Sequence, residues 1–297
     1  MPSPRLSAEQ QAIRRAIWEG CRKDSLEEVA QGLNRFAEDF PTHSDEYQKV
    51  VDRAFQEALD EVSIKVTEYL IDHEHVDISN LSALPIAYSR SIEIFSLFVS
   101  RGWDINKRND GFQGRTLLGS VCDREDLVRW CLEHGARCED HPSLKQRLQY
   151  HPPLLEQVAS RGTVSTFKLL CESLAIMTCR TLHMACESAG MSGRDERLRM
   201  VEFLVDEVHI GVNQRDSIVP LPMHYGTPIN YAAKGQRGAR VVKFLLARGA
   251  DPTMKDSWGS MNAWDYASYA NQKNPEVLDL LNEWREKILR NDVTNTP

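Results

Sequence analysis

Thr227-Pro228-Ile229-Asn230-Tyr231-Ala232-Ala233, followed by Val241-Val242-Lys243-Phe244-Leu245-Leu246-Ala247-Arg248-Gly249-Ala250-Asp251-Pro252, decides the fold. The first stretch reads as a helix start. The Thr227 hydroxyl stands where it can cap the helix, and Pro228 suits the first helical position, which needs no N–H. The second stretch reads as an apolar helix ended by Gly249, a residue that tolerates positive φ. Asp251-Pro252 then turns the chain outward.

The same pair of signals recurs. Second-helix patterns appear at Val66–Leu70, Ile94–Phe98, Leu127–Leu132, Val164–Leu170, Met200–Val205, Val241–Leu246 and Val277–Leu281. In the clearest copies two apolar residues, one polar and two more apolar keep one helix face dry. First-helix starts precede most of them, at Ser82–Ala87, Arg115–Ser120, Arg180–Ala185, Thr227–Ala232 and Asn262–Ala267. Ala54, Ala87 and Ser120 are spaced 33 apart, as are Gly102 and Gly135. A single two-helix unit cannot bury its apolar face alone, so a recurring one implies stacked neighbours.

At these residues the chain resembles the ankyrin repeat family, whose pattern is Thr-Pro-Leu-His-x-Ala, then Val-Val-x-Leu-Leu, then Gly-Ala-Asp. The match is close over 226–252, fair over 81–138 and 180–216, and degenerate over 140–175. The resemblance implies an all-α fold, an α-solenoid of stacked helix-turn-helix ankyrin-type repeats with short β-turn fingers. About six to seven units cover roughly 45–285. Residues 1–6 are expected to be a disordered tail, 7–44 an N-terminal helical cap or diverged repeat, and 286–297 the end of a closing helix with its tail. Ser7 and Gln10 make a capping box for a helix through about Gly20. The helix over 275–290 turns Glu283, Arg285, Glu286 and Lys287 to solvent, as a terminal cap requires.

Composition narrows the function. The 297 residues carry a formal net charge of −7, which argues against general nucleic-acid binding. Seven cysteines in no close framework read as reduced thiols, expected in the cytoplasm or nucleus. Met1-Pro2-Ser3-Pro4-Arg5 lacks the apolar run of a secretory signal. Nothing approaches the roughly 20 apolar residues of a membrane span, and no lipidation signal ends at Asn295-Thr296-Pro297. Monomer or weak oligomer is the expected state.

No phosphate-binding glycine loop and no Gly-x-Ser-x-Gly elbow is present. Cys179, His183 and Cys186 fall on one side of a helix, but no fourth metal ligand lies nearby. His183 stands where the family places a hydrogen-bonding histidine. Asp72-His73-Glu74-His75-Val76-Asp77 resembles a metal cluster, yet it sits at a helix end, where polar residues are expected. No catalytic residue, cofactor or metal is assigned.

Function is then sought in a surface. The resemblance implies that turn tips and the exposed side of the first helices form a concave face for a partner protein. Lys107, Asn109, Phe112, Arg215, Asp216, Lys255, Asp256 and Trp258 are the candidates there. Two departures from the repeat stand out. Gly190–Arg197 lengthens the link between helices, and Ser217–Tyr225 lengthens an outward turn, each by about seven residues. The second is unusually apolar, adding Ile218, Val219, Leu221, Met223 and Tyr225 as candidates. It either folds back on the first helices or stands out as a binding finger. The leading expectation is a protein–protein scaffold or adaptor. The alternative is an enzyme or small-molecule binder with a pocket between degenerate repeats and the two insertions.

Overall fold

The computed structural model describes residues 6–108, 115–138, 153–217, 223–269 and 273–294. Regular structure among them is helical throughout. The chain divides into two compact units, Met1–Val121 with Arg129–Ala136, and Cys122–Val128 with Arg137–Pro297.

In the first unit the helices come in pairs. They are α1 (Ala8–Arg22) with α2 (Leu26–Asp39), α3 (Asp45–Asp60) with α4 (Ile64–Asp72), and α5 (Ala83–Ser89) with α6 (Ile92–Ser100). The four-residue α7 (Leu117–Ser120) follows, and α8 (Glu125–Glu133) supplies residues to both units. First helices lie side by side in the order α1, α3, α5, α7, and second helices in the order α2, α4, α6. The dry faces meet between these rows: Ile17, Leu33, Val51, Leu59, Leu70, Ile86, Phe95 and Phe98 have lost essentially all contact with solvent.

The second unit repeats the scheme. Its first helices are α9 (Leu154–Arg161), α11 (Thr181–Ser192), α13 (Pro228–Lys234) and α15 (Ala263–Ala267). Its second helices are α10 (Val164–Glu172), α12 (Asp195–Glu202), α14 (Ala239–Ala247) and α16 (Pro275–Thr294). α12 runs on into a π-helical turn at Phe203–Glu207. α9, α11, α13 and α15 form one row, while α12, α14 and α16 form the other. Phe167, Leu170, Leu182, Met200, Leu204, Ile229, Val242, Leu245, Val277 and Leu281 fill the space between. Every second-helix pattern read in the sequence is a helix here, the one at Met200–Val205 spanning the end of α12 and the π turn.

Local chemistry fixes the ends. Ser7 and Gln10 form a reciprocal capping box at α1, which runs to Arg22. Ser25, Ser44, Ser91, Thr116 and Thr163 cap their helices through side-chain oxygens. Thr227 departs from expectation. It holds the N-cap position in an extended backbone with Pro228 next, but its hydroxyl makes no cap bond and is buried without a partner among the described residues. The insertion Gly190–Arg197 is also not wholly a link. Gly190 is held inside the helix, so α11 continues to Ser192 and stops where Gly193 takes φ +65°.

That extension depends on an unusually close approach. A Cβ on Gly235 would lie 2.3 Å from the Gly190 carbonyl carbon, and one on Gly238 2.0 Å from the Ala232 oxygen. The Arg237 N–H donates to the Gly190 oxygen at 2.8 Å. The backbones of α11 and of the turn after α13 therefore touch directly.

One position after most second helices takes left-handed backbone. Gly102, Gly135 and Gly249 occupy it at φ +83°, +89° and +84°, and His75, Leu174 and His209 occupy it at +56°, +65° and +62°. A side chain there costs about 1–2 kcal/mol against its own backbone, while glycine costs roughly 0.5–1 kcal/mol in chain entropy. A methyl group placed on Gly249 would meet nothing within 4 Å, so Gly249→Ala is expected to lose about 1–2 kcal/mol through backbone alone. Leu174 is 79% exposed and packs little, so Leu174→Gly is expected to gain up to about 1 kcal/mol. Urea unfolding of both variants checks this; changes of the same sign contradict it.

Candidate partner-binding surface

The outward turns of the second unit differ in length. From the left-handed residue to the next helix cap, Gly249 to Asn262 is 13 positions, His209 to Thr227 is 18, and Leu174 to Arg180 is 6. A shortened turn therefore precedes a lengthened one in the chain. The lengthened finger exceeds the next one by five residues.

Both complete fingers close in the same way. Asp216 donates its N–H to the Gly226 oxygen at 2.9 Å and accepts the Gly226 N–H on Oδ2 at 3.2 Å. Asp256 donates its N–H to the Met261 oxygen at 2.8 Å and accepts the Ser260 N–H on Oδ1 at 3.0 Å. Each carboxyl also takes a tyrosine hydroxyl from the helix that follows, Tyr231 on Asp216 at 2.5 Å and Tyr266 on Asp256 at 3.0 Å. The register is shared: Tyr231 lies five residues after Gly226, and Tyr266 five after Met261. Gly226 has φ +89°, and a Cβ there would stand 2.8 Å from the Asp256 Cα, so the two fingers touch at backbone level.

Asp216 and Asp256 are thus buried, 3% and 4% exposed, and act within the fingers. Burial opposes charge on Asp256, but the Ser260 N–H, the Tyr266 hydroxyl and the Met261 backbone outweigh it and hold the carboxyl below its usual range. Burial pushes the Tyr231 and Tyr266 phenols up, Arg180 opposing this at Tyr231 and Asp256 reinforcing it at Tyr266.

Around this latch the lengthened finger is packed at its base. The Tyr225 ring lies between Tyr231 and Tyr266, 4.8 Å and 5.4 Å from their centroids in edge contacts. Lys234 donates to the Tyr225 hydroxyl at 2.7 Å and reaches Glu187 at 3.5 Å. His224 Nδ1 stands 3.5 Å from Asp216. Arg180, at the end of the shortened turn, approaches Glu156 at 4.0 Å, and the Cys179 thiol donates to the Asp216 carbonyl at 3.3 Å. Met223, by contrast, is 63% exposed. Tyr225 therefore follows the folded-back expectation and Met223 the outstanding one. Ile218, Val219 and Leu221 lie outside the described residues, as do Asn109 and Phe112.

The remaining candidates divide similarly. Arg215 and Lys255 are exposed, and Trp258 is 61% exposed at a finger tip. Arg215 reaches across to the Asp256 carbonyl at 3.5 Å, and Ser257 to the Ser217 carbonyl at 3.4 Å. Lys107 belongs to the first unit, where its ammonium donates to the Ser79 carbonyl. Three exposed side chains of the shortened turn, Leu174, Ile176 and Met177, escaped the sequence reading. The missing hairpin between Leu174 and Arg180 was the signal for them.

His183 is wholly buried in α11. Its Nε2–H is shared by the Gln214 and Gly226 carbonyls at 2.9 and 3.1 Å. Asn230 performs the same task one pair later, donating from Nδ2 to the Tyr225 and Met254 carbonyls at 2.8 and 3.3 Å. Cys186 is buried, and Cys179 is occupied with Asp216. Glu74 in the first unit accepts from Tyr47 and Tyr69. Among the described residues, no three His, Cys, Asp or Glu side chains gather as a metal site would require.

Residues 224–267 match the family model described as ankyrin repeats (many copies). That stretch holds the latch residues Tyr231, Asp256 and Tyr266 and is similar to ankyrin repeats, which generally serve as protein–protein interaction modules. Among curated proteins none matches the chain significantly. Among the described residues no helix is long and apolar enough to cross a membrane.

With both carbonyls drawing on Nε2–H, the His183 Nδ1 has no partner among the described residues. Burial, against the opposing pull of Asp216, holds this imidazole down to about 4. The unfolded chain takes up the proton near pH 6.5 and the folded chain only near 4, so stability falls as pH drops through that window. The loss from this group between pH 7 and pH 5 is about 2 kcal/mol. His183→Asn, which copies Asn230, is expected to remove that part of the pH dependence. His224, lowered by burial and then by Arg180, keeps its own slope of the same sign. Urea midpoints at pH 7 and 5 measure the difference; an unchanged slope contradicts the assignment.

Proposed function

We propose that the protein is a non-catalytic interaction module, an adaptor, inhibitor or targeting subunit that holds a partner protein on its fingers and first helices. The observation that carries this reading is the exposed apolar side chains on adjacent turns of the second unit: Ile176, Met177, Met223 and Trp258. Large apolar side chains left in water mark interaction sites where they gather on one surface, and a prebuilt surface costs little ordering on binding. Arg215 and Lys255 complete the surface, with Tyr225, Asp216 and Asp256 as its internal support. Ile218, Val219 and Leu221 extend it by sequence, and Lys107 in the first unit, with Asn109 and Phe112 by sequence, is a further candidate. Seven cysteines without a disulfide suit the cytoplasm or nucleus.

The thiols speak against the enzymatic alternative. Burial pushes Cys21 and Cys131 up to about 12 and also raises Cys171, Cys179 and Cys186, the reverse of what a nucleophile needs. A cavity of about 500 Å³ beside the first insertion is lined by Gln236, Arg237, Arg240, Lys273 and Glu276 among others, which supply charge and not a nucleophile with its base. Affinity capture from the native cell tests the proposal, with wild type and a Met223→Ala/Trp258→Ala variant as baits. A partner enriched by the first and depleted at least fivefold by the second is expected. Equal recovery of every protein removes the reading.

A further inference from the structure

We infer that the segment held by the second unit is acidic and extended, with one large apolar side chain among its carboxylates. This deepens the interaction reading above and rests on it.

The charges that reach solvent from the two complete fingers decide the chemistry. Their acidic side chains are turned to internal work. Asp216 is taken by Gly226 and Tyr231, Asp256 by Ser260 and Tyr266, and Asp251 by the N–H and hydroxyl of Thr253. Arg215 and Lys255 remain outside, both exposed, one at the base of each tip. The chain as a whole carries −7, so an acidic segment is repelled by the average surface and drawn to this place. Such local complementarity fixes where and how fast a partner docks.

The apolar part of the surface fixes the rest. Trp258 and Met223 are exposed on the same two fingers as these cations, and Ile176 and Met177 are exposed on the shortened turn that precedes them. The turns are laced together by the Ser257–Ser217, Arg215–Asp256 and Cys179–Asp216 bonds. Helix pairs stack at about 8–10 Å, and an extended chain rises about 3.3 Å per residue. Neighbouring fingers therefore meet positions about three residues apart on a bound segment. Trp with a neighbouring Arg is the pairing that most often carries binding energy.

Peptide display on the full-length protein tests this. Enriched sequences are expected to hold two or more Asp or Glu within about three residues of a Trp, Phe or Leu. A synthetic peptide of the most enriched sequence should lose at least tenfold in affinity with Trp258→Ala, severalfold with Lys255→Glu, and severalfold between 50 and 300 mM NaCl. Circular dichroism and urea midpoints equal to wild type show that these exposed changes leave the fold intact. Basic or uncharged peptides that still depend on Trp258 overturn the acidic inference and leave the interaction reading standing. Binders indifferent to both Met223 and Trp258, or no enrichment, overturn both. Flotation with phosphatidylserine vesicles that depends on Trp258 and Lys255, without acidic peptides in the display, assigns the surface to lipid and overturns the inference as well.

Discussion

At Gly190 and Gly235 two stretches of backbone meet with no side chain between them. Short helices bury little apolar surface, so a pair of them holds only by lying tightly on the next pair. The α11–α13 approach gives that tightness in the second unit, and the Arg237–Gly190 hydrogen bond registers it. The position of α13 in turn sets where Tyr231 stands, and Tyr231 sets where Asp216 and its finger can close. The geometry of the finger base is thus fixed by a contact at the opposite end of the first helices.

The finger latch converts that rigidity into a shape. A carboxyl that receives two or three internal donors cannot swing, and the turn it closes cannot fray. The same device at Asp216 and Asp256 gives adjacent fingers one geometry at the base despite unequal lengths beyond it. His183 and Asn230 do the corresponding work behind the fingers, tying carbonyls of neighbouring turns to the helix row. A titratable group and a neutral amide fill one role, and only the first makes stability depend on acidity.

The fold was legible because its signals are periodic. Second helices announced themselves through paired apolar residues, and Gly102, Gly135 and Gly249 marked their ends. Where the left-handed position holds Leu174, His75 or His209, the residue gives no local hint, and register had to come from neighbours. The candidate surface was legible only in outline. Exposed Trp258, Arg215, Lys255 and Met223 could be named from position in the repeat. Asp216 and Asp256 were read as outward from the turn positions the resemblance assigns to the concave face; the tyrosines that draw them inward lie 15 and 10 residues on, beyond any local pattern. The cap expected from Thr227 failed for a similar reason, since a buried hydroxyl answers to packing before it answers to the helix end.

The shortened turn at Leu174–Arg180 and the lengthened one at His209–Thr227 are neighbours. Arg180 and Cys179, which end the first, lean on Asp216 and the base of the second. The shortened turn is thereby held on the base of its lengthened neighbour, so these two repeats are not interchangeable bricks. Transplanted into another array, or duplicated within this one, they would have to travel as a couple, and lineages that shuffle repeats singly would be expected to keep this junction whole.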